Sequence, residues 1–201
     1  VINLKDSVLD YTKYIQVGMK AIDGNQVVNG KIPLTGTEVG ATITLQNNTA
    51  GMVALHNSNA INNNTLKIIA RNGTLGMIAS DKSLVRNNGN IDIAFQGTTA
   101  TDQVDGMYAD TSSTAINDGK ITGNAAVDSV AGTLIGMQGR WINQVQNPAG
   151  TIPTLLINNG NISLSAAATP DKTISTSLVG MGSFLEKAFL EGTKLLRRTG
   201  F

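Results

Sequence analysis

Cysteine is absent from the 201 residues, histidine occurs once, and aromatic residues make up only 4% of the chain. No cysteine means no disulfide scaffold, no thiolate metal site and no thiol nucleophile. A single histidine, His56, would have to carry any Ser-His-Asp or His-metal chemistry alone. One Trp and four Phe are too few for a compact core built on rings. Charged residues account for 14% and the formal net charge is +1, so no electrostatic attraction to nucleic acid or to an anionic membrane is expected. No apolar run approaches the roughly 18 residues of a membrane span. The chain begins Val1-Ile2-Asn3-Leu4 without an initiator Met, as expected of a processed or excised piece. What is plentiful is Gly, 22 residues of it, with Asn, Thr, Ile and Val, a mixture of short strands and tight turns.

All six methionines follow a glycine: Gly18-Met19, Gly51-Met52, Gly76-Met77, Gly106-Met107, Gly136-Met137 and Gly180-Met181. The intervals are 33, 25, 30, 30 and 44 residues. Three residues after each of these glycines stands a small residue: Ala21, Ala54, Ala79, Ala109, Gly139 or Ser183. A second block recurs as Asn29-Gly30-Lys31-Ile32, Asn88-Gly89-Asn90-Ile91, Asp118-Gly119-Lys120-Ile121 and Asn159-Gly160-Asn161-Ile162, and the second unit has Asn63-Asn64-Thr65-Leu66. Asn is the residue that best replaces Gly in a left-handed backbone. Gly30, Asn64, Gly89, Gly119 and Gly160 are therefore expected to share that conformation. Two and four residues later come Ile32 and Leu34, Leu66 and Ile68, Ile91 and Ile93, Ile121 and Gly123, Ile162 and Leu164. The fifth unit carries about a dozen extra residues within Trp141 to Thr154.

Period-2 alternation runs through each unit. With Met taken as inward, the same parity holds Val17, Ala50, Leu75, Ile135 and Val179, and Asp105 is the exception. The opposite parity holds Lys20, Val53, Ile78, Tyr108, Gln138 and Gly182, a mixed list suited to an outer face. Units of this length, with short strands and no helical period, cannot bury an apolar face alone; stacking them strand upon equivalent strand does so. The expected fold is all-β, a parallel β-helix of about six rungs over residues 1–182, on the order of 30 Å long at about 4.8 Å per rung. Asn side chains at the turns would bridge rungs as an amide ladder. The Leu framework of a leucine-rich repeat, four strands per propeller blade and the Gly-Gly-x-Gly-x-Asp of a calcium solenoid are all missing. Residues 183–201 differ. Ser183-Phe184-Leu185-Glu186 is a capping box, apolar residues follow at helical spacing, and Lys194, Arg197 and Arg198 suit a helix C-terminus. A C-terminal helix that caps the last rung is expected, in preference to a membrane-binding one.

His56 stands in an Asn-rich turn, where it reads as solvated. Asp102 and Asp105 lie near Asp110, while Asp23, Asp81 and Asp110 fall at similar places in successive units, so an acidic stripe or a calcium site is the enzyme-like alternative. Asp is also simply favoured at turns. The polygalacturonase motifs Asn-Thr-Asp, Asp-Asp, Gly-His-Gly and Arg-Ile-Lys are absent, and no Gly-rich loop stands between a strand and a helix. No cofactor and no metal are expected. Loops inserted into a solenoid lie on one face, frequently the binding face. Arg140 and Trp141 open the insertion, and Tyr108 lies on the outer parity one unit earlier. These three are the candidate ligand-binding residues, with Trp141 as a stacking platform or, by parity, packed over Gly139.

Repeated Gly-Met-x-Ala followed by Ala-Ile-Asn-Asp-Gly-x-Ile, here Ala115-Ile-Asn-Asp-Gly-Lys-Ile121, resembles the passenger domains of type V autotransporters, most of all the large adhesins of fusobacteria and related anaerobes. The resemblance spans about residues 17–182. It implies a right-handed β-helix on the bacterial surface, or secreted, acting as stalk and ligand-presenting solenoid. Its partners would be glycans or protein receptors on host cells or other bacteria, and it would have no enzyme activity. A secreted β-helix polysaccharide lyase or hydrolase is the alternative, and a plain spacer a third reading.

Overall fold

The computed structural model describes residues 7–9, 15–30, 42–125, 131–143, 154–166 and 175–187, and all regular structure there is β-strand. Strand β1 (Ser7–Leu9) lies antiparallel on β2 (Ile15–Ile22). From β2 onward the described pairings are parallel and the strands recur in threes. The first rung is β2, β3 (Gln26–Asn29) and β4 (Ile43–Leu45); the second is β5 (Thr49–Leu55), β6 (Asn59–Asn62) and β7 (Thr65–Ala70). The third is β8 (Thr74–Ser80), β9 (Leu84–Asn87) and β10 (Asn90–Phe95); the fourth is β11 (Gln103–Asp110), β12 (Thr114–Asn117) and β13 (Lys120–Ala125). The fifth is β14 (Ala131–Asn143), β15 (Leu155–Asn158) and β16 (Asn161–Ala166), and β17 (Ser175–Lys187) opens a sixth. Three sheets result, ordered β1-β2-β5-β8-β11-β14-β17, β3-β6-β9-β12-β15 and β4-β7-β10-β13-β16. This is a right-handed parallel β-helix.

The methionine spacing sets the register. Met19, Met52, Met77, Met107, Met137 and Met181 pair in line through the first sheet. Met52, Met77, Met107 and Met137 are fully buried, and burying such a side chain contributes roughly 1.5–3 kcal/mol. Met181, on the last described strand, is 44% exposed. The core is one continuous column, from Ala21 and Val27 to Met137, with Leu156, Ile162 and Leu164 packed on its end. Phe95, the largest fully buried side chain, fits because its in-register neighbours are Ala70 and Ala125. Large rings cannot stack on themselves at rung spacing, hence the low aromatic content.

The glycine before each Met bends the strand. A Cβ on Gly106 would meet the Gly136 carbonyl oxygen at 2.7 Å and the core side chain of Ile121 at 3.1 Å, so Gly106 faces inward, as does Met107 after it. Two successive inward positions break the pleat. Val104 and Leu134 therefore join the core, while Val17 and Ala50 form a separate cluster with Val53. The parity expected from Met does not cross the glycine: the column of Val17, Ala50 and Asp105 lies on the outer side of the bend. Asp105 is not an exception inside the core.

The corner between the second and third sheets holds the amide ladder. The Asn29 side-chain NH2 donates to Asn62 Oδ1 at 2.9 Å, then Asn62 to Asn87, Asn87 to Asn117 and Asn117 to Asn158, each at 2.8 Å. Asn62, Asn87 and Asn117 are fully buried. The expected left-handed column does not form here. Of Gly30, Asn64, Gly89, Gly119 and Gly160, only Gly30 has positive φ, 105°. Glycine is required at 89, 119 and 160 for another reason. A Cβ there would run into the backbone carbonyl oxygen of Asn64, Gly89 and Gly119 respectively, far inside van der Waals contact. The left-handed pairs stand at the opposite corner, between the first and second sheets: Asp23-Gly24, His56-Asn57, Asp81-Lys82 and Thr111-Ser112. After the last three pairs a buried serine follows, Ser58, Ser83 and Ser113, and Ser83 and Ser113 each accept from the serine N–H of the preceding rung at 3.1 Å.

Two further expectations are corrected. Ile32 and Leu34 were placed opposite Leu66 and Ile68, but those positions pair with Ile43 and Leu45 of β4. The chain leaves the rung at Gly30 and re-enters at Ile43, which accounts for the 33-residue interval; residues 31–41 lie outside the described residues. The helix expected from Ser183 does not begin there. Ser183–Lys187 continues β17, paired with Gly139–Asn143 of β14, because an open parallel edge offers these backbone groups partners that a four-residue capping signature cannot match. Residues 188–201, the rest of the expected capping helix, lie outside the described residues.

Candidate functional site

The outer side of the first sheet, in rungs four and five, gathers polar side chains that the ladders do not use. Met107 and Ala109 face the core, so Tyr108 and Asp110 face out. Parallel register sets Tyr108 beside Gln138 and Asp110 beside Arg140. The Tyr108 hydroxyl donates to Asp110 Oδ2 at 3.1 Å, while Asp110 Oδ1 is buried without a hydrogen-bond partner. Burial pushes the Tyr108 phenol above its ordinary value, the Asp110 charge adds to the rise, and the Arg140 guanidinium opposes it. The phenol is thus held protonated. Across the bend, Gln103 Nε2 donates to both oxygens of Asp105, at 3.0 and 3.2 Å, and to Gln138 Oε1 at 2.8 Å. Two of the three residues singled out by sequence, Tyr108 and Arg140, are brought together. The Trp141 backbone continues β14 opposite Leu185, and its side chain and the insertion 144–153 lie outside the described residues.

Asp110, Gln103, Gln138 and Asp105 were missed as site residues. Their signal was a repeat offset: polar residues at positions where the two preceding rungs carry Val53, Ile78, Ala50 and Leu75. Asp105 is 1% exposed between Leu75 and Ile135 in the ladder. Burial pushes its carboxyl to about 7, against the Gln103 hydrogen bonds that favour the charged form. The native state therefore keeps the proton up to about pH 7, whereas the unfolded chain releases it near 3.8. Between those values the native state binds more protons, so this group lowers stability as pH rises. At about 1.4 kcal/mol per pH unit the loss is on the order of 4 kcal/mol and is complete above pH 7. Asp105→Asn should melt well above the parent at pH 8 and converge with it near pH 4. Parallel melting curves across that range would show that Asp105 is hydrated.

The other candidates serve the scaffold. Asp102 closes the loop between β10 and β11, accepting from the N–H groups of Thr98 and Thr99 at 2.7 and 2.9 Å, with Arg71 Nε at 3.6 Å. Burial would raise its pKa, but the two N–H bonds and Arg71 outweigh it and hold the carboxyl below its usual value. Asp110 is not in the column of Asp23 and Asp81: it aligns one residue earlier, at the level of Ser80, because Ala109 pairs with Ala79. His56 instead stands between those two, Nδ1 at 3.1 Å from Asp23 and Nε2 at 3.8 Å from Asp81, an exposed arrangement of little energetic weight. Among the described residues no three acidic or imidazole groups converge to hold a metal ion, and no helix is long and apolar enough to cross a membrane.

A right-handed solenoid of three parallel sheets, with buried Asn and Ser ladders and a polar cluster on its outer face, defines a pectate lyase-like β-helix. Residues 1–143, more than half of the chain, match the BigA third pectate lyase-like domain, and the chain belongs to that family. No curated protein and no solved structure matches it.

Proposed function

We propose that this domain is part of a bacterial surface-exposed or secreted adhesin of the autotransporter type, a rod that attaches to host cells or other bacteria without cleaving what it binds. The observation that carries the reading is the cluster of Tyr108, Asp110, Gln138 and Arg140 on the outer face, directly before the rung-five insertion. Attachment requires an exposed polar and aromatic surface on a rigid support, and solenoids supply that support. Family membership and the repeat-level resemblance to passenger domains agree with it. Against turnover stand the chemical states of the groups at hand. The Tyr108 phenol is held protonated and is a poor base, Asp102 is bound to its own loop, and His56 sits at a remote corner.

The test uses the purified, folded 201-residue chain. It should attach saturably to target cells and release no unsaturated or reducing ends from polygalacturonate. Trp141→Ala combined with deletion of 143–149 should reduce attachment with the rod still folded. Glycan turnover lost on changing Asp105 or Asp110 would establish the lyase or hydrolase alternative instead.

A further inference from the structure

We propose that the outer face of β11 and β14 binds a neutral, hydroxyl-rich glycan and does not accept a uronate polymer; this rests on the attachment reading above. The residues in this patch divide by the chemistry they offer. Asp110 Oδ1 is a buried acceptor with no donor, placed where a ligand hydroxyl would complete it. Gln138 accepts from Gln103 on Oε1, and its NH2 donates to no other described residue. A side-chain amide and a carboxylate side by side match the adjacent donor and acceptor pairs of vicinal hydroxyls. The half-buried Tyr108 ring, in line with the half-buried Ile78 of the preceding rung, supplies an apolar strip for the C–H face of a sugar ring. Concave sites of this kind use a few placed polar groups on an apolar wall.

Charge decides against a polyanion. The charged side chains described on this face are Lys20, Asp105, Asp110 and Arg140, two of each sign. Arg140 is already engaged with Tyr108 and lies opposite Asp110. An uncompensated carboxylate oxygen at the centre of the patch repels a sugar carboxylate, and no basic column runs along the rungs to attract successive uronates. A neutral glycan meets neither obstacle.

The experiment passes the folded 201-residue chain over immobilised mannan, galactan, glucan and polygalacturonate, each at low salt and at 0.5 M salt. Retention on at least one neutral polymer, unchanged by salt, is expected. Asp110→Asn and Gln138→Ala, each checked for an unchanged melting curve, should both weaken that retention at least tenfold. Salt-sensitive retention on polygalacturonate that disappears with Arg140→Ala would overturn the proposal. So would attachment to cells that is lost after protease treatment of the cells and insensitive to periodate, which points to a protein receptor and leaves the attachment reading intact. If the chain neither attaches to cells nor is retained on any polymer, the attachment reading falls and this proposal with it.

Discussion

Met77→Asp should cost about 4 kcal/mol or more, enough to unfold the central rungs at ordinary temperature. Met77 is fully buried, and the Met52 and Met107 side chains stand above and below it. A carboxylate there has neither water nor a partner, and the nearest polar groups are backbone amides already committed to the ladder. The same change at Met181, 44% exposed on the last described strand, should cost less than about 1 kcal/mol. The pair isolates burial from sequence, since both residues follow glycine in the same motif. Hydrogen exchange resolves it best, because a solenoid loses stability locally around the altered rung. Equal loss of protection in the two variants would refute the shared inward column.

Asn87→Leu should cost roughly 2–4 kcal/mol although leucine has nearly the same volume. Asn87 accepts from Asn62 and donates to Asn117 Oδ1 at 2.8 Å, to the Gly89 carbonyl at 3.2 Å and to the Lys120 carbonyl at 3.4 Å. Leucine leaves the Asn117 oxygen buried without a donor and removes one link from the middle of a five-residue chain. Asn158 lies at the exposed end of that chain, and Asn158→Leu should cost clearly less. Denaturant unfolding of the two variants checks the order. Equal, small effects would mean that the ladder adds nothing beyond backbone pairing.

The candidate site was partly legible before folding. Arg140 stood out because it opens the insertion, and Tyr108 because it occupies the outer parity beside Met107. Asp110 was seen only as one member of a possible acidic stripe, in which it does not belong. Its true neighbour, Arg140, lies thirty residues away and is fixed by the pairing of Ala109 with Gly139. Gln103 and Gln138 meet across a rung boundary and across the bend at Gly106, and neither neighbourhood has a sequence signature.

The sequence by itself determined the solenoid, its rung count and most of its register. Stacked parallel rungs bring each residue onto its own counterpart, so the Gly-Met and Asn-ladder intervals are read directly as vertical alignment. Only the tertiary structure decided what happens where backbone meets backbone. Carbonyl oxygens of neighbouring rungs make glycine obligatory at 89, 119 and 160 without positive φ, and the left-handed pairs fall at the other corner. The inward turn of Gly106 carries Asp105 to the outside. The open edge of β14 holds Ser183–Lys187 as strand where local spacing favoured a helix. Each of these outcomes depends on a contact between rungs, which no single repeat contains.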